Sequence, residues 1–139
     1  GYRSSPVLAI RPGGRGDITN THVSWNVGAG APYVSSLVYQ DGLLFYVTEQ
    51  GIATCLDAKS GDRVWQERIG GVYSASPVAA DGKIYFFGED GTTVVMKPGR
   101  TPQVLARNKL DGRIIASPAV SGGRIFVRTD RHLIAIQSK

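Results

Sequence analysis

The sequence is short of cysteine, of charge and of long apolar runs. Its single cysteine, Cys55, cannot form a disulfide within the chain and excludes a zinc site built from several cysteines. The longest purely apolar run, Leu43 to Val47, is far below the ~20 residues that a membrane-spanning helix needs, so no membrane span is expected. Charged residues make up only 19% of the chain and hydrophobic residues 42%, which excludes a disordered protein.

Helical patterning is also absent, because no long stretch combines helical spacing of apolar residues with a capping residue. Glycine, by contrast, is abundant: 18 of 139 residues, nearly double its usual frequency. Asp41-Gly42 and Asp81-Gly82 separate short β-favouring runs, and Asp-Gly between such runs is a strong hairpin signal. The sequence therefore predicts an all-β protein.

An internal repeat organises these runs. The segment "YVSSLVYQDGLLFYVTEQGIATCLDAKSGDRVWQERI" from Tyr33 aligns with "YSASPVAADGKIYFFGEDGTTVVMKPGRTPQVLARNKL" from Tyr73, a shift of 40 residues. A third copy, "IIASPAVSGGRIFVRTDRHLIAIQ", follows, and Trp25 lies 40 residues before Trp65. Four short strands in about 40 residues are the period of a β-propeller blade.

The predicted architecture is a single β-propeller segment, residues 1–139, made of four-stranded antiparallel blades with about 13 strands. Two whole blades, residues 34–69 and 73–109, lie between partial blades at residues 5–28 and 114–137. Since a blade buries its faces only against neighbours, an open arc leaves apolar faces in water. Two interpretations stay open: an excerpt of a longer propeller, or a chain that closes a ring with another segment or a copy of itself.

The segment "TCLDAKSGDRVWQERIGG" resembles the blade motif of the PQQ-like (pyrroloquinoline-quinone-type) propeller repeat family, whose usual form is A-L-D-A-x-T-G-x-x-x-W. The matching residues are Leu56, Asp57, Ala58, Gly61 and Trp65. The resemblance implies that this segment links the third and fourth strands of a blade and that Trp65 docks between neighbouring blades. Trp25 has the equivalent place in the first unit, whereas in the unit ending at Leu105 the motif has decayed to "VMKPGRTPQVL".

The resemblance implies two functional types. Quinone-dependent dehydrogenases hold the quinone and a calcium ion, and their site is expected to use a vicinal cysteine pair, acidic calcium ligands and an aspartate base. Cys55 alone excludes such a pair within the chain, and the aspartates mostly fall in predicted turns, where they hydrogen-bond their own backbone. We therefore expect no catalytic, cofactor-binding or metal-binding residue here, and no cofactor. A dehydrogenase fragment whose catalytic residues lie outside this chain is the alternative.

The second type comprises non-catalytic bacterial members that serve as binding scaffolds, and the segments "RPGGRGD" and "PYVSSLVYQDGLLFYV" of this chain resemble these most. The resemblance implies a non-enzymatic protein-interaction scaffold with a protein partner. It also implies an extracytoplasmic location, either periplasmic or secreted.

The net charge of +5 is unevenly spread, because residues 97–139 hold nine Lys and Arg against two Asp. This basic third predicts a candidate surface for an anion or a partner, formed by Arg107, Lys109, Arg113, Arg124 and Arg128. An anion or nucleic-acid binder is therefore the second alternative. Little aromatic interleaving argues against nucleic acid, and solvated charges that protect strand edges explain the same residues.

Other features are interpreted as structural. Arg15-Gly16-Asp17 spells a cell-adhesion tripeptide but is predicted to be part of a flexible link between two strands. His22 and His132 are predicted to be partly exposed strand-edge residues. The small residues of Ser74–Ser76, with Ala116 and Ser117, are expected to line the narrow centre of a ring.

Overall fold

A computed structural model of the chain describes residues 6–137. Ser5, where the first partial blade is predicted to begin, and Lys139, one of the basic residues of the last third, lie outside them. Residues 6–137 form thirteen strands in four antiparallel sheets, with one four-residue helix. The predicted all-β propeller segment is thereby confirmed.

The strands are β1 (Val7–Ile10), β2 (Val23–Val27), β3 (Val38–Gln40), β4 (Leu43–Val47), β5 (Ile52–Asp57), β6 (Arg63–Arg68), β7 (Val78–Ala80), β8 (Lys83–Phe87), β9 (Thr92–Met96), β10 (Val104–Lys109), β11 (Ala119–Ser121), β12 (Arg124–Arg128) and β13 (Leu133–Gln137). The helix α1 (Thr19–His22) lies in the connection between β1 and β2. The described residues contain no helix with the length and hydrophobicity that a membrane crossing needs.

Strands pair in chain order, as in a meander. Sheet A is β1-β2, sheet B is β3-β4-β5-β6, sheet C is β7-β8-β9-β10 and sheet D is β11-β12-β13. The first hairpins of sheets B and C close at the two Asp-Gly pairs, where Asp41 and Asp81 have φ of 50° and 47° and Gly42 and Gly82 have φ of 81° and 63°. Positive φ at both central residues is the backbone of a type I′ turn, which matches the twist of paired strands.

Alternation along the strands decides which neighbouring sheet each side chain meets. On β8, Ile84 and Phe86 are fully buried in the cluster shared with sheet B, whereas Phe87 is buried in the cluster shared with sheet D. Tyr85, on the same side as Phe87, packs against that second cluster. The core therefore consists of apolar layers between successive sheets, which we call seams A/B, B/C and C/D.

The long link between β1 and β2 contains α1 as well as the predicted flexible glycines. Asp17 Oδ1 accepts a hydrogen bond from the Thr19 backbone N–H at 2.9 Å, which closes the turn into the helix. A hydrogen bond from the Thr19 side chain, followed by this backbone bond, lowers the pKa of the Asp17 carboxyl. Arg15, Gly16 and Asp17 are exposed.

Candidate functional site

Trp65 connects sheet B to sheet C. It lies on β6, is almost completely buried, and its indole Nε1–H donates a hydrogen bond of 2.9 Å to the Gly99 carbonyl oxygen, in the loop between β9 and β10. Its ring centroid lies 5.9 Å from that of Phe45, with the planes tilted by 49°. Tilted aromatic pairs at this separation are favourable. Trp65 thus contributes buried area and a hydrogen bond to seam B/C.

Trp25 makes the equivalent contact one sheet earlier. Its indole Nε1–H donates to the Ala58 carbonyl oxygen at 3.1 Å, in the turn between β5 and β6. The ring lies directly on Gly61, where an added Cβ would be 2.7 Å from a ring carbon of Trp25. Gly61 also has φ of 79°, in the left-handed region that favours glycine. The repeated tryptophans therefore make the same type of contact with the following sheet.

The turn that receives Trp25 is organised by Asp57. Its Oδ1 accepts hydrogen bonds from the backbone N–H groups of Lys59 (3.1 Å) and Ser60 (3.3 Å), and Gly61 N–H donates to the Asp57 carbonyl oxygen at 2.8 Å. Arg100, from the loop of sheet C, reaches Asp57 Oδ2 at 3.0 Å. The hydrogen bond from Arg100, followed by those backbone bonds, lowers the pKa of the Asp57 carboxyl. Asp57 therefore shapes its own turn and connects it to the next sheet.

Leu56 is the remaining residue of the predicted blade motif. It is buried to 1% exposure in the cluster that forms seam A/B, with Val7 and Tyr46. The structure thus distributes the motif over two seams: Leu56 and Gly61 pack toward sheet A, and Trp65 packs toward sheet C.

A serine ladder crosses the seams near the innermost strands. Ser36 N–H donates to Ser76 Oγ at 2.9 Å, and Ser76 N–H donates to Ser117 Oγ, also at 2.9 Å. These serines precede the first strands of sheets B, C and D, and they recur 40 and 41 residues apart. Ser76 and Ser117 are among the small residues expected to line the centre of a ring; the hydrogen bonds are an addition that the repeat spacing of the serines could have suggested.

A linker precedes the innermost strand of each of sheets B, C and D, at residues 28–37, 69–77 and 110–118. An acidic residue in the turn between the second and third strands of the sheet contacts that linker. Glu49 Oε1 accepts from Val34 N–H at 3.0 Å, the Glu89 N–H donates to the Val72 carbonyl at 2.8 Å, and Asp130 Oδ1 accepts from Arg113 N–H at 2.8 Å. We call the surface formed by these three linkers and the three turns that contact them the linker end.

Glu89 makes further contacts at the linker end, and sequence reasoning missed it. Its carboxylate accepts hydrogen bonds from the Ser74 hydroxyl and from Arg113 Nη2, both at 2.6 Å. The hydrogen bond from Ser74, followed by that from Arg113, lowers the pKa of Glu89. Because Arg113 belongs to the linker of sheet D, Glu89 connects sheets C and D across their seam.

Three apolar side chains are exposed at the linker end, although polar groups hydrogen-bond the backbone that carries them. Val34, Val72 and Ile115 are 58%, 55% and 52% exposed. Each lies in a different linker, so the linker end offers an apolar side chain at sheets B, C and D. Sequence reasoning did not single them out, because an isolated valine or isoleucine beside a turn carries no pattern.

The residues of the candidate basic surface have different partners in the structure. Arg107 Nη1 donates to the Ile69 carbonyl at 2.9 Å across seam B/C, and Lys109 lies 2.7 Å from Asp90 Oδ2. The hydrogen bond from Lys109 is the largest cause that lowers the pKa of Asp90 to about 2. Arg113 pairs with Glu89, whereas Arg124 and Arg128 lie together on one side of β12.

The sole thiol is inert in this fold. Cys55 is fully buried in seam B/C, and burial raises the pKa of its thiol to about 11. A buried thiol with a raised pKa is a poor nucleophile at neutral pH. In residues 6–137, no cluster of three or more His, Cys, Asp or Glu side chains is arranged to hold a metal ion.

The sequence matches a family model described as outer membrane protein assembly factor BamB, over residues 15–101 and again over residues 49–139. It is 31% identical over 117 residues to the outer membrane protein assembly factor BamB of Burkholderia pseudomallei (strain K96243). That alignment covers 82% of this chain and 30% of the relative, so the chain spans under a third of that protein.

Solved structures share the fold. The crystal structure of BamB from Moraxella catarrhalis superposes with a TM-score of 0.67 at 15% identity, covering 86% of this chain and 35% of that one. A europium-containing methanol dehydrogenase gives 0.58 at 18% identity, covering 77% and 22%. A chain of the mitotic checkpoint complex gives 0.68 at 13% identity, covering 84% and 40%. At such identities the likeness concerns the fold alone.

Proposed function

The chain belongs to the PQQ-like propeller repeat family whose model is described as outer membrane protein assembly factor BamB, and from that premise we propose that it is a non-enzymatic interaction scaffold. Its partner is a protein, and its location is extracytoplasmic. The relative's name leads us to propose a component of outer membrane protein assembly as the partner.

The proposal rests on the solvent exposure of Val34, Val72 and Ile115 at the linker end. The backbone on which they stand is fixed by hydrogen bonds to Glu49, Glu89 and neighbouring groups. A fixed backbone leaves little conformational freedom to lose on association, which raises affinity for a given contact area. Exposed apolar side chains rimmed by charged groups are typical of protein-binding surfaces.

The seams support the same proposal. Trp65 connects sheet B to sheet C, and the bond between Glu89 and Arg113 connects sheet C to sheet D, so the spacing between the exposed linkers is set by the fold. A partner can then contact several sheets at once, each adding a small apolar contact. The arrangement suits recognition of an extended protein surface.

Site-directed photo-crosslinking tests the proposal. A photoreactive amino acid at Val34, Val72 or Ile115 should crosslink to the same envelope protein in cells that produce the chain. The matched control is Lys59, which is exposed in the turn between β5 and β6. Equal crosslinking at Lys59, or none at the linker end, would contradict the proposal. Dye reduction on adding pyrroloquinoline quinone and calcium would instead support the dehydrogenase alternative.

A further inference from the structure

The outer rim of seam B/C contains a groove between β6 and β10, the fourth strands of sheets B and C. Both strands continue into linkers that the structure describes, so described residues bound this rim on every side of the seam. The groove has a volume of about 270 Å³. Small-molecule sites usually occupy roughly 300–1,000 Å³, so this groove suits one or two side chains of a polypeptide.

The floor of the groove is apolar. Ile69 and Met96 line it and are only 4% and 1% exposed. Val104 and Pro102 form part of the wall on the side of sheet C, and Val104 is 44% exposed. An aliphatic side chain that entered the groove would remove this remaining apolar surface from water, which is favourable in proportion to the area covered.

The charged groups of the groove are two guanidinium groups and one carboxylate. Arg107 Nη1 donates to the Ile69 carbonyl, and Arg68 Nη1 donates to the Gln50 carbonyl at 3.2 Å, so both groups are held by the backbone of sheet B. Within residues 6–137, Nη2 and Nε of Arg107 make no hydrogen bond or ion pair. Glu67 supplies the carboxylate, which leaves one positive charge in excess. A fixed guanidinium with unused N–H groups is well suited to bind a carboxylate.

The repeat does not account for this combination of groups. Val104 and Arg107 occupy on β10 the positions that Arg63 and Gln66 occupy on β6, since their partners on the third strands are 40 residues apart. The Gln66 side chain is bound within its own sheet, with Nε2 at 3.1 Å from Thr54 Oγ1. Sheet B thus has a charged residue and a satisfied amide where sheet C has an exposed valine and a cation.

We propose that this groove binds an extended segment of a partner protein in which an aliphatic residue and a carboxylate lie two positions apart. This inference rests on the proposed role as a protein-interaction scaffold. The aliphatic side chain packs on Ile69, Met96 and Val104, and the carboxylate binds Arg107. The bulge in β10 places Val104 and Arg107 opposite residues two positions apart on β9, roughly 7 Å along the strand. Side chains two positions apart on an extended segment share one face and have the same spacing.

The chain itself does not offer such a segment among residues 6–137. Of its exposed large hydrophobic residues, only Tyr39 has an acidic residue two positions away, which is Asp41. Asp41 lies in a hairpin turn with φ of 50°, so this pair is not extended. The occupant is therefore a different protein and not a second copy.

An NMR titration of the full, ¹⁵N-labelled chain tests the inference, since this method detects weak peptide binding. The probe is acetyl-Thr-Leu-Thr-Glu-Thr-amide. One control peptide has Gln in place of Glu, and the other has Ala in place of Leu. At low salt the probe should bind about tenfold more tightly than either control. Its largest amide shifts should occur at Ile69, Met96, Val104 and Arg107.

Two variants separate the two contacts. Arg107→Gln should abolish the preference for Glu over Gln in the peptide. Val104→Arg should abolish the preference for Leu over Ala, because it replaces the apolar wall. Both introduce the residue that sheet B has at the same position, so the strand geometry is retained. Arg63→Gln is the matched control, since it removes the same charge from β6 and should preserve both preferences.

Equal binding of the probe and the Gln peptide would overturn the inference, as would amide shifts centred away from the groove. Shifts at the groove on concentrating the chain alone would also overturn it, in favour of a second copy. Crosslinking at Val34, Val72 or Ile115 reads other residues, so either proposal can fail while the other stands.

Discussion

At the scale of single residues, seams A/B and B/C each contain an indole N–H that reaches a backbone carbonyl of the next sheet. The donors Trp25 and Trp65 are 40 residues apart, and their acceptors are the carbonyls of Ala58 and Gly99. A tryptophan buries on the order of 200 Å² of surface and satisfies its one polar group at the same time. The contact therefore combines apolar burial with a directional bond that fixes the relative position of two sheets.

Trp65→Ala should lower the free energy of unfolding by about 3–5 kcal/mol, because it leaves a cavity in seam B/C. Trp65→Phe retains much of the ring but loses the bond to Gly99, which adds about 1 kcal/mol to the effect of its smaller volume. Urea denaturation measures both. A loss below about 1 kcal/mol for the alanine variant would show that Trp65 is not a seam residue.

Gly61→Ala tests the contact between the Trp25 ring and the turn that follows β5. Both Gly61 and Gly42 have positive φ, at 79° and 81°, so alanine strains the backbone at either position. An added Cβ at Gly61 would meet Trp25 at 2.7 Å, whereas at Gly42 it has nothing within 4 Å. Gly61→Ala should therefore cost about 1–3 kcal/mol more than Gly42→Ala, measured by thermal and urea denaturation. Equal losses would mean that Trp25 does not rest on this turn.

In the tryptophan contact between sheets, the hydrogen-bond donor is easier to predict from the sequence than the acceptor. Trp65 is predicted from the repeat and the motif, because a large side chain at a fixed period leaves a visible pattern. Gly99 could not be identified, since "KPGRTPQ" has lost the motif's Asp and the acceptor is a backbone carbonyl. Any residue that lets the loop follow the right path can present that carbonyl.

At the scale of elements, the serine ladder joins the entries to the innermost strands. Ser76→Ala removes the acceptor for Ser36 N–H and should cost up to about 1 kcal/mol. The Ser36 amide should then exchange faster with deuterium, as measured by NMR. Ser36→Ala is the matched control, because the bond to Ser76 uses the Ser36 backbone N–H and leaves its hydroxyl unused. If the Ser36 amide exchanges at the same rate in both variants, the ladder is not formed in solution.

Acid should loosen the linker end and its neighbouring turns. The pKa of Glu89 is lowered by Ser74 and Arg113, and that of Asp90 is lowered to about 2, chiefly by Lys109. A lowered folded-state pKa stabilises the fold above the unfolded-state pKa, near 4, and that contribution is lost as pH falls toward 2. Each group should contribute less than about 1 kcal/mol, since these ion pairs are partly solvated.

The measurement is urea denaturation at pH 7, 4 and 2. Glu89→Gln should lower stability at pH 7 and should reduce the further loss between pH 4 and pH 2. Glu67→Gln is the control, because Glu67 is exposed on β6. An unchanged acid dependence in Glu89→Gln would show that the connection between Glu89 and Arg113 does not contribute to stability.

The basic third shows where element-level prediction stops. Charge counting detects Arg107, Lys109 and Arg113 as a group, but it does not detect their partners. Arg107 donates to a backbone carbonyl 38 residues away, and the other two pair with the acids of the turn between β8 and β9. Such partners are set by strand pairing and by how the sheets stack, so a linear sequence window cannot identify them. The hairpins at Asp-Gly, by contrast, are local and were predictable.

At the scale of the whole molecule, the chain is a stack of similar sheets whose order follows the sequence. The strand count and the sheet topology follow from the 40-residue repeat, since the same spacing of turns and apolar residues produces the same meander. What the repeat could not predict is which surfaces differ between copies. Arg124 and Arg128 stand where Leu43 and Val47 stand in sheet B, and that difference acquires meaning only when the stacking is known.

Apolar side chains at the outer faces of the stack predict a second property of the molecule. Leu8 and Ile10 on sheet A and Leu133 on sheet D are exposed. The chain in isolation should therefore bind a hydrophobic dye such as ANS more strongly than a closed propeller of equal mass concentration. Light scattering on the same samples separates dye binding by a monomer from self-association. A monomer that binds no dye would contradict the exposure of these faces.

Sheets A, B and C stack through the same tryptophan contact, made by Trp25 and again 40 residues later by Trp65. Nuclear Overhauser effects across the seams test it most directly, in the intact chain labelled on its indole and glycine groups. We expect cross-peaks from the Trp25 ring to Gly61 and from the Trp65 indole to the loop at Gly99, with a comparable pattern at seams A/B and B/C. Tryptophan rings that show contacts only within their own sheets would contradict it.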